Sequence, residues 1–217
     1  MALKNRFARM IFGGGMLTGL VLVFFTPIFN VGTGNGEPTP ADFLDFIQQV
    51  QNGNVDVLSG VYIPSVLALP VVQQPTGDDG YVSGRNDEAT QFSMASRYGN
   101  IGLLAHNYLS GRLFSQLAVG EEVRLIYGDG RVEYFVITEV LRYQALEPNS
   151  PWSSFRNLES EDILSTEQMF TRAYAGDRHV TFQTCIESNG NASWGRLFVI
   201  AVPKALSFET IFQQLLQ

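Results

Sequence analysis

His179-Val-Thr-Phe-Gln-Thr-Cys185 and Arg196-Leu-Phe-Val-Ile-Ala-Val202 are two runs rich in β-branched and aromatic residues. Between them lies the turn-rich segment Ile186-Glu-Ser-Asn-Gly-Asn-Ala-Ser-Trp-Gly195, with an Asn-Gly pair inside it. This composition reads as two strands joined by a ten-residue loop. If the strands pair as a hairpin, the thiol of Cys185 at the end of one lies beside the guanidinium of Arg196 at the start of the next. A fixed cation next to a thiol favours loss of its proton. Cys185 is the only cysteine in the 217 residues, so neither an internal disulfide nor a cysteine-built metal site is available. The plainer reading of a lone cysteine is a small buried hydrophobe.

Outward from this pair the pattern stays mostly strand from residue 55 to 202. Val55–Leu58, Val61–Ile63, Val66–Val72, Asn100–Ala105, Val123–Tyr127, Val132–Leu141, Val180–Thr184 and Leu197–Val202 all carry strand composition. Gly, Asn and Asp separate them, and Asp129-Gly130 is the strongest hairpin turn. Eight such segments without alternating helices predict an all-β dominated domain, a barrel or a sandwich, and not βαβ units. Ahead of them, Thr39-Pro40-Ala41-Asp42 has the order of a helix start: N-cap, proline in the first turn, then an acid. Phe43, Leu44, Ile47 and Val50 follow at helical spacing and Gly53 supplies a stop, which predicts a short amphipathic helix packed on the domain. Phe208, Ile211, Phe212 and Leu215 predict a closing C-terminal helix.

The run from Met10 to Phe29, MIFGGGMLTGLVLVFFTPIF, holds twenty residues without a charge. At about 1.5 Å per residue such a helix just spans a hydrocarbon core of about 30 Å. Lys4, Arg6 and Arg9 precede it, which places that end in the cytoplasm by the positive-inside rule. A cleaved signal peptide is the competing reading, although no small-x-small cleavage site follows the run. The expected organisation is a basic cytoplasmic tail (1–9), a transmembrane signal-anchor (10–29), a linker and amphipathic helix (30–54) and the strand-rich domain (55–217). This predicts a single-pass protein of the cell membrane with its domain extracytoplasmic. With three of the 14 basic residues in the tail, 11 remain against 21 acids, a balance that argues against nucleic acid as partner.

A cysteine nucleophile needs an imidazole partner, and the chain offers two histidines, His106 and His179. His179 lies six residues before Cys185 on the same expected strand, roughly 20 Å away at about 3.3 Å per residue. His106 ends the apolar run Ile101-Gly-Leu-Leu-Ala105, where a strand gives way to a loop. Side chains at strand ends open onto barrel mouths, where sites are assembled, so His106 is the candidate base; a surface histidine is the plain alternative.

Several of these residues together resemble the sortase family. Thr181-Phe-Gln-Thr-Cys185 is similar to the family's TLxTC signature, with Phe182 in place of the usual Leu. Arg196 heading an apolar strand is similar to the family's arginine, and Leu104-Ala105-His106-Asn107 to the segment holding its histidine. Ile63-Pro64 and Ala68-Leu69-Pro70-Val71-Val72 are similar to its early strands, and the order His, Cys, Arg is the family order. The resemblance covers about residues 55–203. It implies an eight-stranded sortase-type β-barrel with short peripheral helices.

The implied activity is transpeptidation. Cys185 would attack the threonine carbonyl of an LPxTG-like sorting motif and form a thioacyl-enzyme. His106 would exchange protons with the leaving and incoming amines, and Arg196 would orient the substrate and stabilise the oxyanion. In this reading Thr184, next to the nucleophile, helps line the substrate site, and Phe182 serves core packing. The implied partners are surface proteins bearing a sorting motif and an amine acceptor in the envelope. No cofactor or metal is implied: Glu159, Glu161 and Asp162 lack ligand spacing and read as a solvated acidic loop. Asn191-Ala-Ser193 matches a glycosylation sequon, a short pattern that arises often by chance. The reading from a different class is a noncatalytic sortase-like barrel used for surface binding or assembly.

Overall fold

The computed structural model describes residues 40–205. The expected membrane span at 10–29, the N-cap Thr39 and the expected helix at 208–215 lie outside the described residues. Ten strands follow in chain order: β1 Leu58–Ile63, β2 Leu67–Gln73, β3 Ala89–Phe92, β4 Ile101–Leu104, β5 Glu122–Tyr127, β6 Val132–Ala145, β7 Phe155–Asn157, β8 Ile163–Leu164, β9 Val180–Ser188 and β10 Asn191–Pro203. The helices are α1 Pro40–Val50, α2 Ser93–Ser96, α3 Gly111–Phe114 and α4 Thr166–Tyr174.

All ten strands belong to one sheet, ordered β10-β9-β4-β3-β2-β1-β5-β6-β7-β8, and β10 also pairs with β6. That extra pairing closes β1–β6, β9 and β10 into an eight-stranded barrel, while β7 and β8 continue outward from the end of β6. The ring is mostly antiparallel, with parallel pairs at β2–β3 and β4–β9.

Alternation along the strands fills the barrel. Val61, Ile63, Leu103, Val123, Leu125, Phe135, Phe182, Leu197 and Val199 form its interior. On β10, Phe198 points the other way, into a second apolar cluster with Tyr143, Met169, Ala173 and Tyr174 beneath α4. Strand β10 is therefore buried on both faces, which is why its sequence is a continuous apolar run instead of an alternating one. A third cluster joins Phe46 and Val50 of α1 to Tyr62 and Ile126, with Phe43 and Ile47 packed against it, so the expected amphipathic helix docks on the barrel, but Phe46 takes the place expected for Leu44, which is exposed.

Three departures from the sequence reading have local causes. Val55 and Asp56 form a turn, not a strand. There the Asn52 side chain accepts the Asn54 N–H at 2.9 Å and the Asn54 side chain accepts the Asp56 N–H at 3.2 Å, an alternative to a ladder that short amides offer readily. In its place β3 completes the ring, four residues long and half polar, with Thr90 accepting the Ser83 N–H at 2.8 Å. The segment between β6 and β9 also contains α4, whose start Ser165-Thr-Glu-Gln168 is a full capping box that the periodicity reading passed over.

The β9–β10 hairpin is tighter than a ten-residue loop. Asn189 (φ 51°) and Gly190 (φ 75°) both take the left-handed conformation that a two-residue hairpin turn requires. The strands thus run up to the turn on both sides, and the extra chain length is absorbed as a bulge: Asn191 pairs with Ser188 and Gly195 with Ile186, leaving Ala192, Ser193 and Trp194 opposite Glu187 alone.

Candidate active site

Strand β9 lies between β4, parallel to it, and β10, antiparallel. On the β10 side, Arg196 is the direct partner of Cys185. On the β4 side the last pair is Leu104 with Gln183, and His106 and Cys185 each lie two residues further on. Three adjacent segments therefore carry His106, Cys185 and Arg196 at the same end of the barrel. Thr184 and Leu197 are partners on the interior face, so Cys185 and Arg196 share the outer face with Gln183 and Phe198. Cys185 is half-buried.

The loop leaving β4 is held from several sides. Ala105 donates its N–H to Gln183 O at 3.3 Å, and His106 O accepts from Leu109 N at 2.9 Å and Gly111 N at 3.0 Å. Thr184, 4% exposed, donates its hydroxyl to Ala105 O at 2.8 Å. Its side chain thus lies on the barrel interior and fastens the end of β4 to β9, on the face opposite to that of Cys185. Gly111 sits so close that a Cβ would stand 2.3 Å from Thr184 Oγ1 and 2.7 Å from His106 O. Asn107 donates from Nδ2 to Ala192 O at 3.0 Å, tying this loop to the β10 bulge.

The same bulge holds the arginine. Arg196 Nη1 donates to Ser193 O and Gly195 O, both at 2.9 Å. The two protons of Nη1 are thereby engaged, and the Nε and Nη2 donors of the planar fork are the ones left for another acceptor. On its other side Arg196 faces the buried Tyr143 of β6.

The two histidines have different surroundings. His179 is buried just before β9, with Nδ1 2.7 Å from Asp177 O and Nε2 3.0 Å from Ala173 O, and its N–H bonds Asn100 Oδ1 at 2.8 Å. Its groups are spent on holding the start of β9, away from Cys185. The His106 ring instead stacks on Tyr108, with centroids 5.1 Å apart and planes 17° from parallel. Among the described residues no group hydrogen-bonds its ring nitrogens. Phe182 is fully buried and meets Phe114 edge-on at 5.2 Å, a core role.

Glu159, Glu161 and Asp162 form the exposed β7–β8 turn. Asn157 Oδ1 accepts the N–H groups of Glu159 at 2.7 Å and Ser160 at 3.1 Å, and Ser160 donates to Asp162 at 2.8 Å. Sequence reasoning named Asn107 without its contact to Ala192 and missed Tyr108, Gly111 and Tyr143. Tyr108 and Gly111 sit close after His106 in a Gly-containing turn, a detectable signal, whereas Tyr143 joins the site only through the β6–β10 register.

No protein-family model matches the chain, and no curated protein matches it. Solved structures similar to it are sortases. Sortase A of Listeria monocytogenes is 16% identical, with 73% of this chain and 97% of that one covered and a TM-score of 0.43. Sortase C-1 of Actinomyces oris is 15% identical over 80% of this chain and 86% of that one, at a TM-score of 0.46. A lid mutant of sortase A from Corynebacterium diphtheriae is 14% identical over 82% and 88%, also at 0.46. The described residues form the all-β, eight-stranded closed barrel with a few short helices that the sequence resemblance implies.

Proposed function

We propose that this chain is a sortase-type cysteine transpeptidase. The observation that carries the reading is the direct pairing of Cys185 with Arg196, with His106 two residues past the last β4–β9 pair at the same end of the barrel. In the proposed reaction the Cys185 thiolate adds to the threonine carbonyl carbon of an LPxTG-like motif. The carbonyl π electrons move to oxygen, where the free donors of Arg196 stabilise the charge. Collapse breaks the peptide bond, His106 gives a proton to the departing amine, and a thioester remains on Cys185. An incoming amine then gives a proton to His106 as it attacks the thioester, forming a new amide and restoring the thiolate. If water takes the place of the amine, the outcome is hydrolysis.

In this reading the run at 10–29 anchors the chain in the cell membrane with the barrel outside the cytoplasm. The partners are sorting-motif proteins and an envelope amine. Thr184 acts at one remove, fixing the strand end that carries His106. The test is incubation of the purified chain with an LPxTG-like peptide and a glycine-based amine, followed by mass spectrometry. A thioacyl adduct on Cys185 and a peptide joined to the amine are expected. Cys185→Ala is expected to abolish both, and His106→Ala to lower turnover by about 10²–10⁴-fold. Product formation by Cys185→Ala would overturn the proposal.

A further inference from the structure

A general base needs its ring held in one orientation, which is ordinarily done by a hydrogen bond from one ring nitrogen to a carboxylate or carbonyl. His179 has two such partners, but His106 has none among the described residues. Against the His106 ring lies the face of Tyr108, near-parallel at 5.1 Å. We propose that Tyr108 is a positioning residue that fixes the plane of His106 by stacking, in place of a hydrogen-bonded orienter. The inference deepens the transpeptidase reading and, for its kinetic part, rests on it.

Proton transfer occurs at the ring edge, in the plane of the imidazole, while a stack occupies only one face. Tyr108 therefore restrains rotation of the ring and leaves both nitrogens open to a leaving or incoming amine. The backbone makes this restraint effective. His106 O accepts from Leu109 N and Gly111 N, and Asn107 is tied to Ala192 O, so the two rings project from a short segment fixed at both ends. Tyr108 is 66% exposed, so its ring contributes little to the core and its placement is not explained by packing. Because the restraint comes from the ring face, the phenol hydroxyl has no part in it, and Phe is expected to serve equally well.

The test uses the full-length chain in detergent, with Tyr108→Phe and Tyr108→Ala, carbon-13 labelled at histidine. With two histidines in the chain, His106→Gln assigns both imidazole signals. Tyr108→Ala is expected to move the His106 ring resonances through loss of the aromatic ring current, leaving those of His179 and the melting temperature unchanged. Alkylation of Cys185 by iodoacetamide at neutral pH should slow in Tyr108→Ala. With peptide and amine, kcat should fall about three- to tenfold at constant KM, the scale of one aromatic contact. Tyr108→Phe should restore all of these. An unmoved His106 signal in Tyr108→Ala, or a Phe variant as impaired as Ala, overturns the proposal. Wild-type protein that turns over no peptide would sink the transpeptidase reading, while the resonance and alkylation measurements would still decide the role of Tyr108.

Discussion

Cys185 and Arg196 are direct partners in the β9–β10 ladder, and the guanidinium is braced by Ser193 O and Gly195 O of the adjoining bulge. The cation is thus fixed by neutral carbonyls, and among the described residues no carboxylate pairs with it. Its charge is left uncompensated beside the thiol, where a developing anion would meet it.

This geometry separates charge from shape. Arg196→Lys keeps the cation but has no second planar nitrogen to donate onward once the backbone carbonyls are bridged. We expect kcat/KM to fall by about 10²-fold, in the range of losing one oxyanion donor, with the fold intact by circular dichroism. Near-full activity in this variant would reduce Arg196 to a general electrostatic role.

Gly111 is a second sensitive point. A methyl group there would stand 2.3 Å from Thr184 Oγ1 and 2.6 Å from Ala105 O, so the loop bearing His106 must move to accept it. Overpacking of this kind costs about 1–3 kcal/mol. Gly111→Ala is expected to lower both the denaturation midpoint and turnover. Unchanged values in both assays would show the loop to be more compliant than this packing implies.

Ser110, beside it, is fully buried, and its hydroxyl has no hydrogen-bond partner among the described residues. An unsatisfied buried hydroxyl costs about 1–3 kcal/mol. Ser110→Ala is therefore expected to match or exceed the wild type in urea denaturation. A loss above about 1 kcal/mol would mean that the hydroxyl is satisfied in solution.

At the other end of β9 the carboxylate of Glu133 bonds Arg178 at 2.5 Å, Arg131 at 2.7 Å and Tyr127 at 3.2 Å. Burial pushes its pKa up, but these bonds outweigh burial and hold it below the ordinary 4.5. A pKa lower in the folded state than in the unfolded chain gives stability that is present above the unfolded value and lost as pH falls through the folded one. Stability by urea denaturation should therefore decline below about pH 4.5, and Glu133→Gln should flatten that decline. Identical slopes for variant and wild type would assign the acid sensitivity elsewhere, with Glu122, held low by Lys204 and Arg124, the next group to test.

Most of the barrel was legible because its strands carry local signals. The Val, Ile and Phe content of β5, β6, β9 and β10 marks them without reference to any neighbour. The ring still totals eight strands only because the expected strand at 55–58, of which Leu58 alone is strand and belongs to β1, offset the missed β3, whose Ala-Thr-Gln-Phe sequence becomes a strand through pairing with β2 and β4. His106, Cys185 and Arg196 were legible as residue types at strand ends. What holds them was not: Tyr143 reaches the level of Arg196 through register alone, and Asn107 meets Ala192 across 85 positions of chain. Asn189-Gly190 was a readable hairpin signal that the length of the flanking polar segment obscured.

Ring closure also governs how this surface meets other chains. Because β10 turns back onto β6, the sheet ends at β8, a terminal strand of two residues. Open sheet edges are templates for strand addition, and a short one offers few backbone donors and acceptors to an incoming chain. The β8 edge is thus poorly suited to edge-to-edge aggregation when concentrated. At that end an extended peptide would have to be recognised through side chains instead of by lengthening the sheet.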